Sequence, residues 1–210
     1  IPLAEETGLI VALDRWVLRQ ALAEVAKWRA SYPELIVNVN LASKQFEDKT
    51  LPNELANLLA QYQLEPSALK LEITENTLMN SPKVSMAVLE QLHQQGIGLC
   101  VDDFGTGYSS LSYLLDFPVH TLKIDRTFTR QMLSNEASLE LVKTIITMAQ
   151  NLQLTVVAEG IETPVQLAKL QALGCQQAQG YLFGKPLPTQ EATHLLTTSF
   201  YHPLIKNTLT

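Results

Sequence analysis

The sequence predicts an α/β protein, a modified (β/α)8 TIM-like barrel whose first strands are absent from this chain. Three observations carry that expectation. Short β-rich runs alternate with helical segments along the chain without a linker or low-complexity stretch. Polar and charged residues recur near the C-terminal end of each β-rich run, and a closing barrel gathers those ends at one mouth. The 210 residues, 46% hydrophobic, are enough for one large core.

Taken in order, the first segment is helical. Residues 4–30 place Leu13, Val17, Leu18, Ala21, Leu22 and Val25 at helical spacing, with Pro2 just ahead of them. β-rich runs follow at 35–41 (LIVNVNL), 69–74 (LKLEIT), 97–103 (IGLCVDD), 120–125 (HTLKID), 154–160 (LTVVAEG) and 178–184 (AQGYLFG). Further helices are predicted at about 50–62, 82–95, 108–116, 135–151, 163–173 and 188–198. Pro82, Pro164 and Pro188 sit near first turns, and Gly96 and Gly174 where helices should stop. A helix between successive strands calls for parallel pairing through right-handed crossovers. The competing architecture is an open, doubly wound sheet, which would spread the strand ends along a line.

A net charge of −6, with 15 Lys+Arg spread along the chain, argues against a nucleic-acid polymer as partner. It leaves open a small phosphate ligand held through metals. No apolar run approaches the ~20 residues that cross a bilayer, and the opening IPLAEETGLI has no basic signal region. Cys100 and Cys175 lie in or beside apolar segments without metal-ligand spacing, which reads as buried free thiols in a reducing compartment, the cytoplasm. Tethering to a membrane by an upstream segment stays open.

The strand-end residues are Asn40, Glu72, Asp102 with Asp103, Lys123 with Asp125, Glu159 and Gln179. Two carboxylates ~4 Å apart repel by about 4 kcal/mol at an effective dielectric near 20, so adjacent aspartates call for a cation. Oxygen donors without histidine or thiolate select hard divalent ions, Mg²⁺ or Mn²⁺, and two ions would balance this set. Asp102 and Asp103 have opposite side-chain parity, so one is expected to face the mouth and the other to turn with the loop. Such a site suits phosphodiester hydrolysis, with Lys123 placed for charge that develops in the transition state. In the FGTGYSS loop, Gly105 and Gly107 are free to take positive φ around Thr106.

Each residue also has a plain structural alternative. A strand-end acid often caps a helix, Glu75 among them. Lys123 and Asp125 could form a structural ion pair, and Asn38 could bond the backbone. His93, His120, His194 and His202 show no ligand spacing, and Glu5-Glu6 reads as a solvated helix face.

The ordered motifs IPLAEETGLI, NVNLAS, LEITEN, DDFGTGYSSL, LKIDR, AEGIET and QGYLFGKPLP resemble those of the EAL phosphodiesterase domain, which hydrolyses cyclic di-GMP in bacteria. The resemblance covers residues 1–198 and leaves 199–210 as a C-terminal tail. It implies a modified (β/α)8 barrel, the linear product pGpG and two Mg²⁺ or Mn²⁺ ions. It places ion ligands at Asn40, Glu72, Asp102 and Asp103, and gives Lys123 and Asp125 roles at the bound water and second ion. Glu159 is implied as ligand or general base and Gln179 as support. Glu75 matches the residue that holds the DDFGTG loop, and Glu162 a structural partner nearby. Family members often pair as homodimers near that loop and often carry a diguanylate cyclase or sensor domain upstream.

The family's Glu-Ala-Leu tripeptide and a following Leu-Leu-Arg-Trp segment are expected ahead of Ile1, so a fragment starting there is expected to be unstable and inactive. Whether the tripeptide's Glu and the later Arg are intact separates a phosphodiesterase from a non-catalytic cyclic di-GMP receptor. A Mg²⁺ barrel lyase using the same carboxylates is the remote third reading.

Overall fold

The computed structural model describes residues 1–80, 82–107 and 111–198. Six strands form one parallel sheet in the order β1 (Val37–Asn40), β2 (Leu69–Thr74), β3 (Gly98–Phe104), β4 (Thr121–Ile124), β5 (Thr155–Ala158) and β6 (Gln177–Ala178). Each strand pairs with the next in sequence, and nowhere does the order reverse. A doubly wound sheet reverses at its switch point, so this is the wall of a (β/α) barrel.

The sheet curls. Trp28 Nε1 donates to Thr193 Oγ1 at 2.9 Å and Tyr32 OH to the Leu196 carbonyl at 2.9 Å, bringing the last described helix against the end of the first long one. A cavity of about 570 Å³ is lined by Asn38 of β1 together with Gln177 and Ala178 of β6. The two outer strands therefore face each other across the lumen.

Alternation along β2 explains the sheet's two faces. Leu69, Leu71 and Ile73 are fully buried in a core shared with Leu99, Val101, Leu122, Ile124 and Val156 from the neighbouring strands. The intervening Lys70, Glu72 and Thr74 pair in register with Gly98, Cys100 and Asp102, so the lumen side is polar where the helix side is apolar.

Helices α1 (Pro2–Thr7) and α2 (Leu9–Arg29) replace the single helix expected over residues 4–30. Gly8 at φ 78° caps α1 in the left-handed region, and α2 restarts beyond it, burying Ile10, Leu18, Leu22 and Val25. Next come α3 (Leu51–Gln61), α4 (Glu75–Asn80), α5 (Pro82–Gln94) and α6 (Leu111–Asp116). The chain continues with α7 (Arg126–Gln131), α8 (Glu136–Asn151), α9 (Pro164–Ala172) and α10 (Thr189–Thr198). The short α4 and α7, directly after strand ends, were not expected. Their few turns carry too little periodicity to stand out.

The last β-rich run is a correction: β6 stops at Ala178. Gly180 lies so close to Ile161 that an added Cβ would come within 2.2 Å of the Ile161 carbonyl oxygen. The backbone turns there, with Phe183 N–H donating to the Gly180 carbonyl at 3.1 Å. The start of the helix expected at 108–116, His202 and the tail at 199–210 lie outside the described residues.

Candidate active site

Lys123 is the centre of the barrel mouth. On β4 it is 2% exposed, and its Nζ lies 2.5 Å from Glu159 Oε1, 2.9 Å from Glu72 Oε2 and 3.2 Å from Asp102 Oδ2. Burial alone would discharge an amine. Here the Glu159 hydrogen bond and the Glu72 and Asp102 charges outweigh burial and hold the ammonium's pKa above its ordinary value. A Lys123–Asp125 pair, the plain structural alternative for these two residues, is not among the ion pairs of the described residues. Asp125 instead caps α7, accepting from Thr127 N–H at 2.8 Å.

Asp102 and Asp103 converge rather than diverge. The β3–β4 register shifts between Val101 and Phe104, and Asp103 takes φ 54°, a left-handed backbone unusual for a side-chain-bearing residue. That bulge brings one carboxylate oxygen each from Asp102, Asp103 and Glu159 within 4.8 Å of one another, a grouping able to hold a metal ion. Burial, then repulsion from Asp102 and Asp125, raises the Asp103 pKa. Burial also raises that of Glu159, against the opposing pull of Lys123. Parity arguments assume a regular strand, and the bulge breaks it.

The loop after the aspartates is held from below. Glu75, 1% exposed at the start of α4, accepts the Gly105 N–H at 2.8 Å, and Gly105 sits at φ 95°. Thr106 Oγ1 donates to the Asp103 carbonyl at 2.8 Å. Gly107 does not take positive φ; a Cβ there would lie 2.8 Å from Asn76 Oδ1 and 3.0 Å from Glu75 Oε1, so glycine lets the loop pack closely on the start of α4.

The remaining expected residues divide. Asn40 ends β1 opposite Glu72 in the ladder and is exposed. Gln179 is exposed and lines the cavity with Asn38 and Tyr181. Glu162 points away from the carboxylates and pairs with Arg130 at 2.8 Å on the surface. Asn38 does not bond the backbone as considered; its Nδ2 donates to Glu72 Oε1 at 2.8 Å, orienting that carboxylate. Cys100 is buried and free, facing the lumen beside Glu72, and burial pushes its thiol pKa up to about 12.

A family model described as the EAL domain matches residues 1–186. The chain belongs to the EAL domain family. Among EAL proteins it is similar to the bifunctional diguanylate cyclase/cyclic di-GMP phosphodiesterase MucR of Pseudomonas aeruginosa. The two are 42% identical over 192 residues, which cover 91% of this chain and 28% of MucR. The cyclic di-GMP phosphodiesterase PdeR of Escherichia coli is 40% identical over 188 residues, 90% of this chain and 28% of PdeR. The chain thus spans under a third of the length of these curated relatives. The solved structure of the PaMucR phosphodiesterase in complex with c-di-GMP superposes with a TM-score of 0.88 at 42% identity, covering 91% of this chain and 78% of that one.

Proposed function

We propose that this chain is the catalytic EAL domain of a bacterial phosphodiesterase that hydrolyses cyclic di-GMP to linear pGpG with two Mg²⁺ or Mn²⁺ ions. The observation that carries the reading is the mouth itself: an ammonium bonded to three carboxylates, with a fourth brought alongside by a strained bulge. The donor set fits hard ions, being oxygen only. Asp102, Asp103 and Glu159 offer oxygens close enough to share one ion, and Glu72, Asn40 and Asp125 at neighbouring strand ends would contribute further oxygen ligands toward a second. Bound there, such ions supply Lewis acidity toward the phosphodiester and ease deprotonation of a water.

The chain's own groups do the rest. Lys123, held cationic by its neighbours, stabilises negative charge on the phosphoryl oxygens as it develops. Glu159, bonded to Lys123 and beside Asp103, is placed to take a proton from a water in the mouth. Glu75 fixes the loop 103–107 that carries Asp103, and Gln179, whose N–H donates to the Ala158 carbonyl at 2.8 Å, supports the strand end that leads to Glu159. The length and the bifunctional name of MucR support a diguanylate cyclase or sensor domain elsewhere in the protein. Among the described residues no helix is long and apolar enough to cross a membrane, and we place the domain in the cytoplasm.

Turnover of cyclic di-GMP with Mg²⁺ by the full-length protein, with the segment ahead of Ile1 included, tests the reading, with Asp102→Asn and Asp103→Asn as variants. Each is expected to lower kcat by at least about a hundredfold, since a lost ligand removes both water activation and charge neutralisation. Tight binding of cyclic di-GMP without turnover in the unmutated protein would make it a receptor instead.

A further inference from the structure

The turn that carries Glu159 is tied to the helix that begins at Asp125, and one buried amide makes the tie. Gln166, 6% exposed in the first turn of α9, accepts through Oε1 from Glu162 N–H and Thr163 N–H, both at 2.9 Å. Thr163 Oγ1 in turn accepts from the Gln166 N–H, which completes a capping box. A cap needs no more than this. Gln166 has a further bond, from Nε2 to the carbonyl of Thr129 in α7 at 3.4 Å.

Thr129 is fully buried, and its hydroxyl donates to the Glu159 carbonyl. Space between turn and helix is tight: a Cβ on Gly160, at φ 68°, would come within 2.5 Å of the Arg126 Cβ. Asp125 caps the same helix, one residue before Arg126. Gln166 and Thr129 therefore couple the backbone of β4's exit, which leads from Lys123 to Asp125, to the backbone of Glu159.

We propose that Gln166 is a positioning residue: its side-chain amide fixes the spacing of Glu159 from Lys123 and Asp125 by holding the 159–163 turn against α7. The proposal rests on the hydrolase reading for the roles of those three residues. Its physical content is that a shift of the Glu159 backbone moves a carboxylate that must stay in register with the opposing strand ends, while Gln166 touches none of the reacting groups.

Gln166→Glu separates positioning from capping. A carboxylate still accepts from both backbone N–H groups, and Glu is the ordinary residue at this place in a capping box, but it has no donor for the Thr129 carbonyl. Gln166→Met removes both functions. Mn²⁺ affinity by calorimetry, kcat and KM for cyclic di-GMP, and the unfolding midpoint are measured for the protein and both variants.

The expected result for Gln166→Glu is Mn²⁺ affinity and kcat each lower by about tenfold, KM little changed, and a midpoint shift under about 4 °C. Gln166→Met shows the same losses with a larger midpoint fall. Unchanged Mn²⁺ affinity and kcat in Gln166→Glu would overturn the proposal and leave Gln166 a helix cap. So would losses that only track the midpoint. A protein whose Mn²⁺ affinity depends on Gln166 as expected but which does not hydrolyse cyclic di-GMP refutes the hydrolase reading alone. Absence of Mn²⁺ binding overturns the ion site and this proposal together.

Discussion

Lys123 satisfies three carboxylates at once from a position 2% exposed, so its removal leaves Glu72, Asp102 and Glu159 facing one another with no counter-charge. Removing one partner of a buried ion pair costs about 3–5 kcal/mol, because the remaining charge cannot recover its hydration. Lys123→Met, which keeps the apolar stem, is expected to lower stability by about that amount in metal-free buffer and to abolish most turnover. Denaturant midpoints with EDTA and with Mn²⁺ check this; the deficit should shrink when a cation is restored. A midpoint equal to that of the unmutated protein in EDTA would mean the three carboxylates do not depend on the ammonium. Asp103 shows the same economy of means at one residue, since its left-handed backbone turns a helix-side position into a mouth-side one.

At the level of elements, the site is built by the bulge, turn or helix that succeeds each strand. β3 ends in a bulge, and α4 begins with the residue that holds it, Glu75 to Gly105 N–H. The bond spans two neighbouring strand exits, so α4 sets the position of Asp103 without contributing an ion ligand. Glu75→Ala is expected to raise the Mg²⁺ concentration for half-maximal activity by about 10–100-fold, the effect typical of groups that orient ligands. A titration that gives an unchanged midpoint with full activity would reduce Glu75 to the start of a helix. Gly107 gives the loop a close approach to α4, since a Cβ there would press on the Asn76 and Glu75 side chains.

Across the whole molecule the two ends of the barrel differ. The C-terminal ends of the strands gather carboxylates. The opposite end holds the stacked rings of His93 and His120, centroids 5.0 Å apart, with the Lys70 charge bearing on His120. Burial, then the charges of His93 and Lys70, lowers the His120 pKa below its ordinary 6.5. The unfolded chain therefore takes up a proton near pH 6.5 that the folded chain refuses until lower pH, and stability falls as pH drops through that window. His120→Gln is accordingly expected to lose less unfolding temperature than the unmutated protein between about pH 7.5 and pH 5.5. Parallel curves for the two proteins would contradict the shift.

The sequence by itself determined the alternation of strands and helices, the apolar helix side of the sheet, and the strand ends at which the polar residues stand. These depend on local periodicity: a period of two along a strand and of 3.6 along a helix can be read without knowing what lies opposite. It also carried seven ordered motifs, enough to indicate the EAL family. Only the tertiary structure decided the partners. Lys123 bonds Glu72, Asp102 and Glu159 rather than Asp125, two residues away, because pairing across parallel strands is set by register and not by proximity in sequence. Asp102 and Asp103 share a side because of a bulge, and Gly180 is a glycine because of the Ile161 backbone. Gln166 did not stand out in the sequence, because its bond to Thr129 depends on α7 and α9 packing together, 37 residues apart in sequence. Contacts of that separation exist only once the core that brings the elements together has formed.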